Sequence, residues 1–401
     1  MSHDATAVSI SPQPSIDHPA ALETPLLGGL LKTAPDLAIT EYHGARTPAA
    51  FSSPAQELAA LLSAAGVYDL GWRTQILCVG EDRVRWLNGM VTNHVGALTE
   101  NTGCYAFVLN AQGRIQGDLN IYQRTDALWL DTDVSYQRTD ALWLDTDVSQ
   151  SATLTAFLDH FIIMDDVVLE PSPAMTRLGV AGPRAIALLA QLGLSAQDLQ
   201  PLQMRTLDWN GRTVTLVSAH GPLVPRLEVW LAQDQVQPLW QALQQAGATS
   251  CGAVAIEQLR ILEGTPAYGT DITARDLPQE TNQTRALHFA KGCYLGQEIV
   301  ERIRSRGNVH RTFSGFVLGS GFAPGEIAAT EKTPLLSENQ PVGNITSAAV
   351  IRLPNGEERI FSLGYIRREA LDRNTALICN GVVAAPSTLP FRWQESGLDH
   401  P

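Results

Sequence analysis

The chain has 401 residues, 44% of them hydrophobic, and a formal net charge of −13. That length exceeds one ordinary domain and implies two or three, with apolar side chains enough for real cores. The acidic balance argues against direct binding to nucleic acid or anionic lipid, and no apolar run reaches membrane-spanning length.

Residues 1–48 read as a flexible leader, rich at first in Ser, Pro and Ala and without the basic start of a signal peptide. An N-terminal α+β domain is expected over 49–170. In it, 49–65 and 81–90 pattern as helices, and 67–70 and 72–80 as strands. Residues 104–109 and 115–122 form a hairpin about Asn110-Ala111-Gln112-Gly113, where glycine supplies the turn. Next, 122–135 is repeated letter for letter as 136–149. A perfect tandem copy points to a recent duplication or an error of sequence assembly rather than to a solenoid. Each copy holds one turn and one strand, so a second copy in the sheet would reverse the chain before the helix expected at 150–161. Only one copy is therefore expected in the native sheet, with the other extruded as a loop or edge hairpin.

Pro171-Ser172-Pro173 marks a boundary. A second α+β domain, 171–250, carries strands at 175–180, 213–217 and 227–231 and helices at 184–192 and 236–246. Connecting helices follow over 251–310, one at 253–262 and one running from Tyr294 to a stop at Gly307. Residues 311–393 place strands at 312–318, 341–351, 360–366 and 376–379, intervals suited to a small barrel. The fold class is α+β.

Five cysteines, Cys78, Cys104, Cys251, Cys293 and Cys379, are scattered and lack a C-x-x-C pair. Such spacing is neither a disulfide framework nor a zinc or self-contained cluster site, so a cytoplasmic protein without its own metal is expected. Cys293 stands out in the run Lys291-Gly292-Cys293-Tyr294-Leu295-Gly296-Gln297-Glu298. At the mouth of a helix, with the Lys291 ammonium two residues away, the thiol would be drawn towards thiolate; the competing reading is a small buried hydrophobe. Arg302, Arg304, Arg306, His310 and Arg311 crowd the segment after it, as a solvated face or a landing site for an anionic group. Asp118 alternates with Ile115, Leu119 and Ile121, so its carboxylate needs a partner or a ligand. Glu228, between Leu227 and Val229, is either an exposed strand acid or an acceptor. Arg260 is suited either to a ligand carboxylate or to a bridge with Glu257 or Glu263.

The octapeptide resembles the signature of the YgfZ-type folate-binding proteins, relatives of the glycine-cleavage T-protein, an aminomethyltransferase. Leu259-Arg260-Ile261-Leu262-Glu263-Gly264, Leu277-Pro278-Gln279-Glu280, Gly343-Asn344-Ile345-Thr346-Ser347 and Leu363-Gly364-Tyr365-Ile366 resemble further segments of that wider family, over roughly 49–393. The resemblance implies a T-protein-like three-domain arrangement around a central channel, ending in a small C-terminal β-barrel. It implies a tetrahydrofolate-type ligand held by Asp118, Glu228 and Arg260, with Tyr294, Gln297 and Glu298 as further contacts. Cys293 and Lys291 would border the channel and perform or gate thiol work. The implied role is an accessory factor rather than a turnover enzyme, sustaining iron–sulfur enzymes, tRNA-modifying ones included, and the implied partners are those enzymes or their assembly proteins. The alternative is a tetrahydrofolate-dependent aminomethyltransferase. T-proteins carry Asp-Asp-Leu in the hairpin where this chain has Gly117-Asp118-Leu119, and the missing first aspartate counts against aminomethyl transfer.

Overall fold

The computed structural model describes residues 21–124, 141–171, 175–307, 309–322, 332–353, 356–373 and 375–392. In chain order the elements are β1 (Leu22–Glu23), α1 (Pro25–Thr33), β2 (Ala38–Tyr42), β3 (Ala45–Ala50), α2 (Pro54–Ser63), β4 (Gly66–Asp69), β5 (Arg73–Val79) and α3 (Arg83–Met90). The hairpin β6 (Thr102–Leu109) and β7 (Ile115–Arg124) precedes β8 (Ala141–Asp147), α4 (Val148–Asp159) and β9 (Val168–Pro171). Then come β10 (Met175–Ala181), α5 (Ala185–Gln191), β11 (Met204–Trp209), β12 (Arg212–Ala219), β13 (Arg226–Ala232), α6 (Val236–Gln245), β14 (Thr249–Cys251) and α7 (Ala253–Glu263). A connecting segment leads to α8 (Gln297–Arg306). The last elements are β15 (Arg311–Leu318), β16 (Thr333–Ser337), β17 (Gln340–Arg352), β18 (Glu358–Arg367), α9 (Arg368–Asp372), β19 (Leu377–Cys379) and β20 (Val382–Ser387).

The strands assemble as a small sheet β1-β3-β2, a six-stranded sheet β11-β12-β13-β10-β4-β14, a five-stranded sheet β6-β7-β8-β5-β9 and a closed barrel β15-β18-β17-β16-β19-β20. The fold is α+β. Strand β4 lies before the five-stranded sheet in sequence yet pairs with β10 and β14, so the two large sheets are interlocked through it. The barrel gains β16 and β20 over the strands read from sequence, and these allow it to close.

Helix α7 is buried on nearly every side, because it packs between α2, β3 and barrel strands β17 and β18. Its Ile256, Leu259 and Leu262 share one apolar cluster with Leu58, Tyr68, Phe313, Phe361 and Leu363. Each such fully buried aliphatic side chain contributes roughly 1.5–3 kcal/mol. Buried Glu57 locks the neighbouring helix in place: Oε1 accepts the N–H groups of Phe51 and Ser52 at 2.6 Å and Oε2 accepts that of Gly252 at 2.8 Å.

Three expectations need correction. The described part of the supposed leader, from residue 21, is built into the fold: Leu26 and Leu27 are fully buried, and Gln237 on α6 donates to the Leu26 carbonyl at 2.7 Å. Its flanking Pro and Ala masked two apolar leucine pairs; residues 1–20 lie outside the described residues. Residues 49–65 are not one helix, since Ala49 and Ala50 end β3 and α2 begins at Pro54 behind a Ser53 cap. The helix after the cysteine begins at Gln297 rather than Tyr294, because Gly296 takes a left-handed conformation (φ 81°) and breaks the run.

The duplicated segment resolves in part. Strand β7 ends on Tyr122-Gln123-Arg124 of the first copy, and β8 is Ala141–Asp147 of the second. The first copy's equivalent strand residues lie outside the described residues. Arg124 pairs with Ala141, so 16 residues (125–140) separate the partners.

Candidate functional site

A cavity of about 190 Å³ opens where the small sheet, both large sheets and α7 meet. Tyr42 and His43 reach it from the β2–β3 turn, Arg73 from β5, Tyr105 and Asp118 from the β6–β7 hairpin, and Asp147 from the end of β8. His220, Arg226 and Glu228 come from β13 and the loop before it, Arg260 from α7, and Tyr268 and Arg285 from the connecting segment. Asp118, Glu228 and Arg260, named from sequence, thus share one cavity.

Their surroundings differ. The Tyr105 hydroxyl donates to Asp118 Oδ2 at 2.7 Å and Gln150 Nε2 donates to Oδ1 at 2.8 Å. Burial, and after it the Asp147 charge, raises the Asp118 carboxyl above its ordinary value. Arg285 lies 4.0 Å over the Tyr105 ring, so Asp118 and Arg285 share that one side chain. Among the described residues neither has an oppositely charged side chain within ion-pair distance. Arg285 Nε donates to Gln283 Oε1 at 3.2 Å, and both side chains keep hydrogen-bonding capacity towards the cavity. His220 enters as a neutral imidazole, pushed down to about 4 by burial and then by the Arg285 and Arg226 charges.

Glu228 Oε2 accepts from Trp230 Nε1 at 2.7 Å and from Arg177 Nη1 at 3.2 Å. Arg260 is saturated. Its Nε donates to Glu257 Oε2, Nη1 to the Thr265 carbonyl and Asp271 Oδ2, and Nη2 to Glu257 Oε1 and Ser347 Oγ. All five guanidinium N–H groups have protein partners, so Arg260 forms cavity wall and offers no donor to a ligand carboxylate. Of the two readings open from sequence, the bridge to Glu257 is the one observed.

A belt of buried charge joins the large sheets. Asp145, fully buried, meets Arg73 and, at 2.6 Å, Arg177, and Arg73 also binds Asp147 at 2.8 Å. His43, Arg73, Tyr105, Asp147 and Arg285 escaped the sequence reading. The signals available were the Asp145-x-Asp147 alternation, which sets two acids on one face of β8, and the turn dipeptide His43-Gly44.

The octapeptide lies elsewhere: none of Lys291, Cys293, Tyr294, Gln297 and Glu298 lines this cavity. Lys291 Nζ donates to the carbonyls of Asn88, Val91 (2.6 Å) and Asn93 (2.8 Å), closing the C-terminal end of α3. With its three protons so used, the ammonium is turned away from activating the neighbouring thiol, and burial pushes it down to about 8. Cys293 is exposed, and it precedes the Gly296 cap by three residues, beyond the first turn where a helix dipole acts. Tyr294 is buried with Tyr105, Phe107 and Val300, its backbone N–H donating to Gln297 Oε1 at 3.2 Å, while Glu298 is exposed in the first turn of α8. Gly296 lies against the β6–β7 turn, where an added Cβ would come within 2.6 Å of the Asn110 carbonyl. Thus the run clamps α3, the cavity-bearing hairpin and α8 together and presents one thiol outward. The basic cluster is partly consumed: Arg311 pairs with Asp276 at 2.5 Å and Glu280 at 2.9 Å, and Arg304 packs 4.4 Å over Phe289.

The fold is similar to the crystal structure of glycine cleavage system aminomethyltransferase T from Bartonella henselae, with a TM-score of 0.77 and 18% identity over 94% of this chain and 99% of that one. At that identity the likeness establishes the fold, the T-protein-like α+β arrangement ending in a barrel. In sequence the chain is 24% identical to an aminomethyltransferase of Nostoc sp. (strain PCC 7120) over 78% of its own length and 80% of the relative's. It is 25% identical to an aminomethyltransferase of Prosthecochloris aestuarii, over 78% and 83%. The GCVT N-terminal domain matches residues 33–291, well over half of the chain, and the chain belongs to that family.

Proposed function

We propose that this protein binds a reduced folate in the cavity around Asp118 and acts as an accessory factor for iron–sulfur enzymes, tRNA-modifying ones among them, through the exposed Cys293. Members of its family use tetrahydrofolate. The cavity suits that ligand on its own terms: flat walls from Trp72, Tyr105 and Tyr268, an acceptor at Asp118 and a donor at Arg285. A pterin edge carries N–H donors for a carboxylate and an oxygen acceptor for a guanidinium. The observation that carries the reading is that Asp118 and Arg285 face this cavity with no side chain of opposite charge within ion-pair distance among the described residues. Glu228 adds a second acceptor, and Arg260 supports the wall. When bound, a reduced folate supplies one-carbon exchange at its nitrogens; the chain's residues bind and orient it.

Two observations favour the accessory role over aminomethyl transfer. Position 117 is glycine, so the carboxylate that T-proteins carry there is absent, and an added Cβ would lie 3.0 Å from Gln150 Oε1 and Leu154 Cδ1, which would have to give by a few tenths of an ångström. The thiol faces outward, where a protein partner reaches it and the cavity ligand does not. All five cysteines are free, in keeping with a reducing compartment such as the cytoplasm.

Calorimetric titration with 5-formyltetrahydrofolate tests the ligand, with Asp118→Asn expected to bind about tenfold to a hundredfold more weakly. Wild-type protein that fails to bind removes the reading. Cys293→Ala is expected to keep folate affinity, to change stability by less than about 0.5 kcal/mol as an exposed site, and to fail in restoring iron–sulfur enzyme activity to cells lacking the protein. Full restoration would remove the thiol from the proposal.

A further inference from the structure

We infer that His43 is a ligand-contacting residue of this cavity, its Nε2 donating a hydrogen bond to an acceptor atom of the bound reduced folate while Asp147 holds the ring in place. The inference rests on the cavity being a folate site and adds the group that reads the ligand from the side of the β2–β3 turn.

The backbone is the first observation. Tyr42 pairs with Ala45, so His43 and Gly44 are the two central residues of a tight turn, with φ of 49° and 86°. Such a turn favours Asn-Gly, and a larger side chain in the left-handed region costs on the order of 1 kcal/mol. Strain of that kind persists where the surroundings over-determine it, and it concentrates at functional sites. Here the surroundings are specific. The His43 carbonyl accepts the Ser149 N–H at 3.0 Å, and the ring lies 4.2 Å edge-on to Tyr42 and 6.4 Å from Trp72 in a stacked arrangement.

The second observation is the hydrogen-bond pattern. His43 Nδ1 meets Asp147 Oδ2 at 2.9 Å, and Asp147 Oδ1 takes Arg73 Nη1 at 2.8 Å. A carboxylate on Nδ1 fixes the ring's tautomer and orientation and leaves Nε2 to act. Nε2 has no hydrogen-bond partner among the described residues, the side chain keeps 16% of its surface, and it lines the same cavity as Asp118. With Nδ1–H given to Asp147, Nε2 is a donor when the ring is charged and an acceptor when it is neutral. The groups around it are Asp147, Arg73, Tyr42, Glu257 and Arg260; burial and Arg260 oppose the charge, and Asp147 and Glu257 favour it, leaving the ring above its ordinary value. A ligand acceptor is therefore bound best on the acid side of that titration.

The test is calorimetric titration of the full chain with 5-formyltetrahydrofolate from mildly acidic to mildly alkaline pH, for wild type, His43→Asn and Asp147→Asn. Asparagine suits the left-handed turn and Arg73 still pairs Asp147, so His43→Asn is expected to fold, with the relieved turn strain set against the lost pair with Asp147. Wild-type affinity is expected to fall about tenfold as the ring discharges, and His43→Asn to bind about tenfold more weakly at acidic pH with a flat profile. The ¹⁵N signal of His43 Nε2 is expected to move when the ligand binds. Wild-type affinity and pH profile in His43→Asn overturn the inference and leave the folate reading standing. Absence of binding by wild type overturns both.

Discussion

Arg260 and Lys291 show how a residue's chemistry depends on whether its hydrogen bonds are already spent. Both were plausible working groups: a planar fork for a carboxylate, and an ammonium beside a thiol. In the fold each is saturated by protein acceptors, and Asp271, one of the acceptors of Arg260, is fully buried with Thr346 and Ser347 also donating to it. Removing the cation would leave that carboxylate without its only ion-pair partner among the described residues. Arg260→Met is therefore expected to lower unfolding stability by about 3–5 kcal/mol, read as a shift in the urea midpoint. A shift below about 1 kcal/mol would mean that the network carries little. Asp118 and Arg285 are the opposite case, because each is left with hydrogen-bonding capacity that the protein does not use.

At the level of elements, the duplication makes the sharpest forecast. Arg124 and Ala141 are paired across β7 and β8 with 16 residues between them, and one repeat is 14 residues long. Deleting residues 125–138 joins Arg124 to Thr139-Asp140-Ala141 and leaves a two-residue connection, the commonest hairpin length. Shortening the connection between the paired residues from 16 residues to two lowers the entropy cost of closing it, by on the order of 2 kcal/mol. The shortened protein is expected to fold, to bind folate like the full chain and to melt at an equal or higher temperature. Loss of folding would show that the inserted copy is structural. The same register explains why the second copy matters for the site, since its Asp145 and Asp147 supply the acids that meet Arg73, Arg177 and His43.

Across the whole molecule, the sheets and the barrel are joined by buried pairs of charge as well as by apolar packing. Asp145 and Asp147 bridge the two large sheets and the β2–β3 turn, Arg226 meets Glu263 at 2.7 Å, and Arg260 ties α7 to the barrel through Ser347. Burial works against ionisation of Asp145, Asp147 and Glu257, yet their arginine and histidine partners hold all three below the ordinary carboxylate range, Glu257 at about 2. A carboxyl with a depressed folded value binds fewer protons folded than unfolded, so its contribution is complete above the unfolded value and is lost as pH falls through the folded one. Through these three carboxyls stability is thus expected to fall steeply below about pH 4, measured as the denaturant midpoint against pH. A midpoint unchanged down to pH 3 would contradict this.

How far the chain could be read by itself follows from which forces are local. Hairpin β6–β7, helices α6 and α7 and most barrel strands were legible because their alternation, glycines and caps act within a few residues. The family likeness was legible because the octapeptide, Leu259 to Gly264 and the barrel motifs are short continuous strings. Asp118, Glu228 and Arg260 could be named for the same reason, each lying in a recognisable run. What tertiary structure alone decided was where long-range partners fall. It buried Leu26 under α6 and Leu27 within the fold, spent Lys291 on carbonyls some 200 positions earlier, turned Cys293 to solvent and brought His43, Asp147 and Arg285 to the cavity of Asp118. Sequence determines which groups a chain carries; whether a group is available depends on neighbours that only folding supplies.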